Sequence, residues 1–465
     1  MSVTKPSGSA GRRARREVDP VRLAAYDLLV AVATDDAYAN LLLPGLLADR
    51  GIVGRDAAFA TELTYGALRG QGTYDAVLEA CVDRPLDELD PTVLAVLRLG
   101  AHQLLATRVP AHAAVATSVE VARAAVGEGP ARLVNAVLRR VAARPLDDWM
   151  VRLAPDPDDD PIGHLAVRHS HPAWVVQAFA DALGGDLAQV SQLLAADNDP
   201  PSVTLVVRPG RAEVSELLES GAEPGRWSPY AAVLTAGQPR EVPAVAEGRA
   251  GVQDEGSQLV ALALARADLT TGEDTGRWMD MCAGPGGKAA LLAGLAAERD
   301  AALLAVERQQ HRTRLVRDAL RGSRGTWAAV TADAIRSGWV DGGFDRVLAD
   351  VPCTGLGALR RRPEARWRRR PSDLATLAPL QRGLLHAAVR AARPGGLVAY
   401  VACSPHLAET RGIVADVLAA RDDVEQVDAR AYVDVPDLGD GPHVQLWPHR
   451  HGTDAMFLAL FRRTR

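Results

Sequence analysis

Residues 277–298 read RWMDMCAGPGGKAALLAGLAAE. A short apolar run closes on Asp280, a turn containing Gly and Pro continues through Gly287, and an apolar helix starts near Lys288. Glycines let a backbone turn tightly and approach a ligand closely, while a helix N-terminus offers unpaired N–H groups. The same grammar recurs downstream. LLAVE (303–307), WAAVTAD (327–333), FDRVLADVPC (344–353) and GLVAYVACS (396–404) are short apolar runs ending in polar or cysteine-bearing loops, with helical stretches such as TRLVRDALRG (313–322) between them. Alternation of this kind predicts an α/β, Rossmann-like domain over 246–465, an open parallel sheet with helices on both faces. Ligands of such sheets bind outside the carboxyl ends of the strands.

Outward from that domain the pattern changes. Residues 166–245 hold a helical stretch, HPAWVVQAFADALG, and a β-branched run, SVTLVVRP, which predict a small α+β middle domain. Residues 146–165 are rich in Asp and Pro and are expected to be a solvated linker. Asp156, Asp158, Asp159 and Asp160 lack the Gly and spacing of a calcium loop, so they read as a solvated charge run. Residues 18–145 place apolar side chains at three- and four-residue spacing throughout, with Asp90-Pro91 as a helix start, and predict an all-α domain. Residues 1–17 are expected to be a mobile basic tail.

Composition sets further bounds. A length of 465 residues implies two to four domains, and 48% hydrophobic with 24% charged residues excludes global disorder. No apolar run approaches a membrane span and the N-terminus lacks an apolar signal core, so a cytoplasmic protein is expected. Four cysteines cannot form a disulfide framework and read as reduced thiols. The net charge of -5 hides a net of +4 in residues 1–17 and of +6 in RRRPEARWRRR (360–370). Only two lysines occur, Lys5 and Lys288. In a chain that otherwise uses Arg, Lys288 points to a need for a compact ammonium.

The strand ends carry the chemistry. A phosphate-binding P-loop needs Gly, four residues, then Gly-Lys-Ser/Thr; Cys282 and Ala289 occupy its first and last positions, so it is rejected. Glu307 lies twenty residues after Gly287, the spacing at which an acid accepts hydrogen bonds from a ribose diol. Asp333 ends the third strand, where a carboxylate could meet an adenine amino group. With the Gly-rich loop these acids indicate a nucleoside cofactor. Cys353 and Cys403 follow two other strands, neither with a partner at zinc-ligand spacing. A thiolate suits addition to C6 of cytosine, which makes C5 nucleophilic enough to take a methyl group; a second group then removes the C5 proton. Two cysteines and Asp350 supply that set. Chemistry alone leaves open which cysteine attacks.

DMCAGPGGK (280–288), DVPCTG (350–355) followed by RRRPEARW, and YVACS (400–404) resemble the motifs of RNA cytosine-C5 methyltransferases that use S-adenosylmethionine. The helical region, with FATELTYGALRG and VNAVLRR, resembles the NusB fold. Together with the middle domain they resemble the RsmB (Sun) family, which methylates a cytosine of 16S ribosomal RNA, over about 18–465. The resemblance implies a cofactor loop of Cys282, Ala283, Gly284, Pro285, Gly286, Gly287 and Lys288. It implies Glu307 at the ribose, Asp333 at the adenine and Asp350 near the methionine end and target base. It makes Cys403 the nucleophile and Cys353 the residue assisting release, whereas the Pro-Cys motif of DNA cytosine methyltransferases would nominate Cys353. The family usually has Ala where this chain has Gly284, Thr at Ala289 and Ala402, and often Asp at Glu307. Arg360, Arg361, Arg362, Arg366 and Trp367 are expected to contact RNA, the Arg at phosphates and the Trp by stacking. His449 and His451 lie in a segment like the family's closing motif, so no metal is assigned. A monomer is expected. The competing readings are the same chemistry on tRNA and a non-catalytic RNA adaptor built on the NusB-like domain.

Overall fold

The computed structural model describes residues 18–269, 274–336 and 338–465. The basic stretch 1–17 lies outside the described residues. The chain divides into two compact units, residues 1–154 and 155–465.

The first unit is helical. Its helices span Pro20–Thr34, Ala39–Asp49, Gly54–Arg69, Gln71–Glu79, Pro91–Ala106, Ala111–Ala125, Glu128–Val141 and Leu146–Leu153. Asp19 and Asp90 cap the first and fifth, accepting from Val21 N and Thr92 N, with Pro20 and Pro91 at the first helical positions. Helix Pro91–Ala106 is central; a Cβ on its Gly100 would stand 2.5 Å from Leu138, so that glycine sets the approach of helix Glu128–Val141. The expected linker 146–165 is corrected. Leu146–Leu153 is a helix of this unit because Trp149 and Met150 are buried and the Trp149 indole donates to Val141 O at 3.1 Å. Pro161–His169 is a helix of the second unit.

The second unit opens with helices Pro161–His169, Ala173–Ala182 and Leu187–Asn198. A four-stranded antiparallel sheet follows: β1 (Val203–Val207), β2 (Ala222–Pro224), β3 (Ala231–Leu234) and β4 (Ala250–Val252), in the order β2-β3-β1-β4. β4 returns beside β1 beyond the expected limit at 245. The three helices share a core with Leu356, Leu359, Trp447 and Ala455, so this region and the large sheet form one packed body.

The large sheet comprises β5 (Arg277–Asp280), β6 (Ala302–Glu307), β7 (Trp327–Thr331), β8 (Phe344–Asp350), β9 (Ala392–Ala402), β10 (Val424–Val427), β11 (Val444–Gln445) and β12 (Phe457–Arg463). Its order is β10-β12-β9-β8-β5-β6-β7, with β11 on β12. Strands β5 to β9 are parallel, as expected, while β12 runs antiparallel to both β9 and β10. No long crossover helix separates β10 from β12, so the chain returns in the opposite sense. The chain winds outward from β5 through β6 to β7, then continues on the other side from β8. The crevice at this reversal opens outside the carboxyl ends of β5 and β8.

Candidate active site

The loop after β5 is fixed at that reversal by both neighbours. Met281 N donates to Leu348 O and Ala283 N to Val306 O, each at 2.8 Å. Gly286, at φ +111, starts helix Gly287–Ala297, and a Cβ there would stand 2.7 Å from Ala319 Cβ. Gly284 faces the second acid: a Cβ on it would come within 2.1 Å of Glu307 Oε2 and 3.0 Å of Arg312 Nε. Arg312 also donates to Gly284 O at 2.6 Å, and Glu307 Oε1 accepts from Gln309 N at 2.8 Å. The longer Glu307 and the missing methyl of Gly284 are therefore sterically complementary.

Asp280, which the sequence reading marked only as a strand end, is buried. Its Oδ1 accepts from Cys282 N at 3.3 Å, and its Oδ2 has no hydrogen-bond partner among the described residues. Burial, reinforced by Asp350, pushes Asp280 up to about 7. A buried acceptor at a Gly-rich loop and helix N-terminus fits a ligand that donates hydrogen bonds, as the expected nucleoside cofactor does. Asp333 lies exposed beyond the edge strand β7, accepting from Ile335 N at 3.0 Å. Desolvation and the carboxylates Asp280, Asp350 and Glu307 push the Cys282 thiol well up, which disfavours its thiolate.

Lys288, Asp350, Cys353 and Cys403 converge. Lys288 Nζ stands 2.8 Å from Asp350 Oδ2. Burial opposes the ammonium charge, but Asp350, joined by Cys403 and Asp280, outweighs it and Lys288 is raised. Register places Asp350 opposite Val401, so Cys403 follows two residues beyond on the next strand. Its Sγ lies 3.3 Å from Cys353 Sγ, and both are free thiols. The pair is polarised. Hydrogen bonding from Cys353, then Lys288 and Arg362 against burial and Asp350, lowers Cys403; the same hydrogen bond and burial raise Cys353 well above its ordinary value. Of the two, Cys403 is the thiol whose surroundings favour ionisation.

The Arg run divides in two. Arg360 and Arg361 both bridge Asp254 and Asp454, at 2.7–3.1 Å, and Arg360 is buried. Arg366 is fully buried and donates to Asn198 Oδ1, Asp197 O and Ser170 O. For the buried Arg360 and Arg366 the expected RNA contact is corrected, because their guanidiniums are committed to internal acids and carbonyls; Arg361 holds the same two acids while its side chain stays 24% exposed. Arg362 is exposed and bears on Cys403. Trp367 is half-buried with its indole N–H unpartnered. Gly357, in the turn after Cys353, donates to Cys403 O at 2.9 Å, and a Cβ there would strike Ala455 O at 2.1 Å. Sequence reasoning missed Glu409, which joins the two cysteine loops. Its only sequence signal is its position just after YVACS.

Residues 268–462 match the model of the family described as 16S rRNA methyltransferase RsmB/F, and residues 19–143 that of the NusB family. The chain is 54% identical to the "Putative methyltransferase Rv1407" of Mycobacterium tuberculosis, covering 97% of this chain and 98% of that protein. It is 31% identical to the ribosomal RNA small subunit methyltransferase B of Pseudomonas syringae, covering 94% and 96%. The solved structure of PH0851 superposes with a TM-score of 0.79 at 21% identity, covering 96% of this chain and 99% of that one, a likeness of fold.

Proposed function

The chain belongs to the RsmB/F family of S-adenosylmethionine-dependent ribosomal RNA methyltransferases, and from that premise we propose that it methylates C5 of a cytosine in 16S rRNA through a covalent Cys403–C6 adduct. The polarised thiol pair carries the reading. Two cysteines 3.3 Å apart, one biased toward thiolate and the other toward thiol, are the nucleophile and proton handler this reaction requires.

The loop Cys282–Lys288, Glu307, Asp280 and Asp333 would hold the cofactor. When bound, S-adenosylmethionine supplies an electrophilic methyl group. Cys403 adds to C6 of the cytosine, leaving negative charge at C5 and on the base. Lys288 and Asp350 stand beside that thiolate, Lys288 as a cation for developing charge and Asp350 as an acceptor for a base amino group. Once C5 carries the methyl, its proton must leave before the C6–S bond can break. With Cys403 bonded to carbon, the hydrogen bond that chiefly raises Cys353 is gone. Cys353 can then release its own proton to solvent, the one proton that the overall methyl transfer sets free, take the C5 proton and let Cys403 depart as thiolate. Of the Arg run, we assign Arg362 and Trp367 to RNA contact.

With purified protein, labelled cofactor and 16S rRNA, Cys403→Ala should abolish transfer, and Cys353→Ala should accumulate a protein–RNA adduct stable in denaturant. Retained turnover in Cys403→Ala overturns the nucleophile assignment. Bisulfite mapping of a deletion strain checks the substrate: 5-methylcytosine lost from tRNA with 16S rRNA unchanged replaces the rRNA reading by the tRNA one.

A further inference from the structure

Glu409 lies in the short turn Leu407–Glu409, fully buried and touching neither thiol. Its carboxylate is encircled by donors. Oε1 accepts from Thr354 N at 2.8 Å and from Gln381 Nε2 at 3.0 Å; Oε2 accepts from Ser404 Oγ at 2.7 Å and from Thr354 Oγ1. Thr354 directly follows Cys353, and Ser404 directly follows Cys403. One side chain therefore ties the residue after each thiol to a common point. The tie is itself braced. Gln381, on helix Leu374–Ala391, also donates to Pro352 O at 2.9 Å, and Tyr400 OH donates to Glu409 O at 2.7 Å.

We infer that Glu409 is a positioning residue that sets the distance between the two thiols, holding the Cys353 and Cys403 loops in register through Thr354 and Ser404. Thr354 Oγ1 and Ser404 Oγ also stand 3.1 Å apart, and Gly357 N donates to Cys403 O at 2.9 Å, so Glu409 closes a contact that the two loops already share. A carboxylate that accepts from four donors inside protein is worth more than four separate bonds, because any change leaves several buried donors unsatisfied. After Cys403 and burial, the charge of Glu409 also helps keep Cys353 protonated. The role rests on the proposed thiol chemistry, yet the geometry it controls is measurable without RNA.

Glu409→Gln preserves shape but turns an NH2 toward hydrogens that need an acceptor. Turnover on 16S rRNA, KM for S-adenosylmethionine and the pH profile of Cys403 alkylation by iodoacetamide, resolved by mass spectrometry, read its effect. The expected result is a turnover about 100-fold lower, KM changed less than about twofold, and an alkylation midpoint raised by about one unit as the Cys353 hydrogen bond weakens. Unchanged turnover and midpoint overturn the inference. So does a loss of turnover with an equal loss of cofactor affinity, which a merely structural residue would produce. If Glu409→Gln does not fold, Thr354→Val and Ser404→Ala each delete one donor; both should shift turnover and midpoint in the same direction, and no shift in either overturns it. Turnover retained in Cys403→Ala would remove the proposed chemistry while the alkylation profile still reports on Glu409, so the two failures are separable.

Discussion

Strand β8 carries an aspartate near each end, and the two live in opposite worlds. Asp345, at the amino end, is wholly buried and saturated: it accepts from Arg393 Nε at 2.6 Å, from Thr275 N and Oγ1, and from Arg277 N. Burial alone would raise it, but Arg393 and those donors bring it down to about 2. Next to it Asp274 takes the Trp278 indole and Arg346. Five residues on, Asp350 keeps a side chain 26% exposed, with Lys288 as its partner, among Asp280, Glu307 and two thiols. Every acid described at the amino end is matched; the carboxyl end keeps an unpartnered Asp280 oxygen and polarised sulfurs. One sheet thus separates holding the fold from doing chemistry, and the chemical end pays in stability for groups that only a ligand satisfies.

Removing a matched acid should separate the ends most sharply. Asp345→Ala leaves Arg393 and three further donors without their acceptor and should cost about 3–5 kcal/mol in urea unfolding, with turnover per folded molecule unchanged. Lost turnover at full folding would show that the two ends are not independent. Asp280→Asn should act oppositely. Near 7 in the fold against about 3.9 unfolded, Asp280 retains its proton where the unfolded chain has lost it, so its contribution to stability falls as pH rises from about 4 to about 7. The variant should therefore gain stability over the parent, by about 2 kcal/mol more at pH 8 than at pH 5. Equal gains at both would place the Asp280 proton elsewhere. Smallest should be Gly284→Ala, whose methyl displaces Glu307 and should weaken cofactor binding about tenfold, or ~1.4 kcal/mol. Adding Glu307→Asp should restore binding by calorimetry; a double variant no better than the single would break the pairing of these two positions.

Much of this was legible in the chain. Strand ends are marked by short apolar runs closing on Asp280, Glu307, Asp350 and Cys403, because period and punctuation are local. Helix starts at Pro20 and Pro91 are equally local. What escaped depends on packing partners that a local pattern does not show. The Arg run shows its charge density, but Asp254 and Asp454, about a hundred residues away on either side, decide that Arg360 and Arg361 face inward. Leu146–Leu153 reads as linker from its Asp and Pro neighbours until Trp149 finds Val141 O. Glu409 is invisible for the same reason: its meaning lies in Thr354, Gln381 and Ser404. The direction of β12 follows from the route of the return, which no local pattern shows.

The four-charge knot of Asp254, Arg360, Arg361 and Asp454 also has a bearing on time. It joins the start of helix Glu255–Arg266, the turn after Cys353 and Asp454, the residue that leads into β12. During synthesis the helical unit and the early strands can fold as they emerge. The turn that aims Cys353 cannot settle until Asp454 has been made and β12 has come back between β9 and β10. A nascent chain therefore carries Cys353 and Cys403 unaligned until Asp454 has joined the knot.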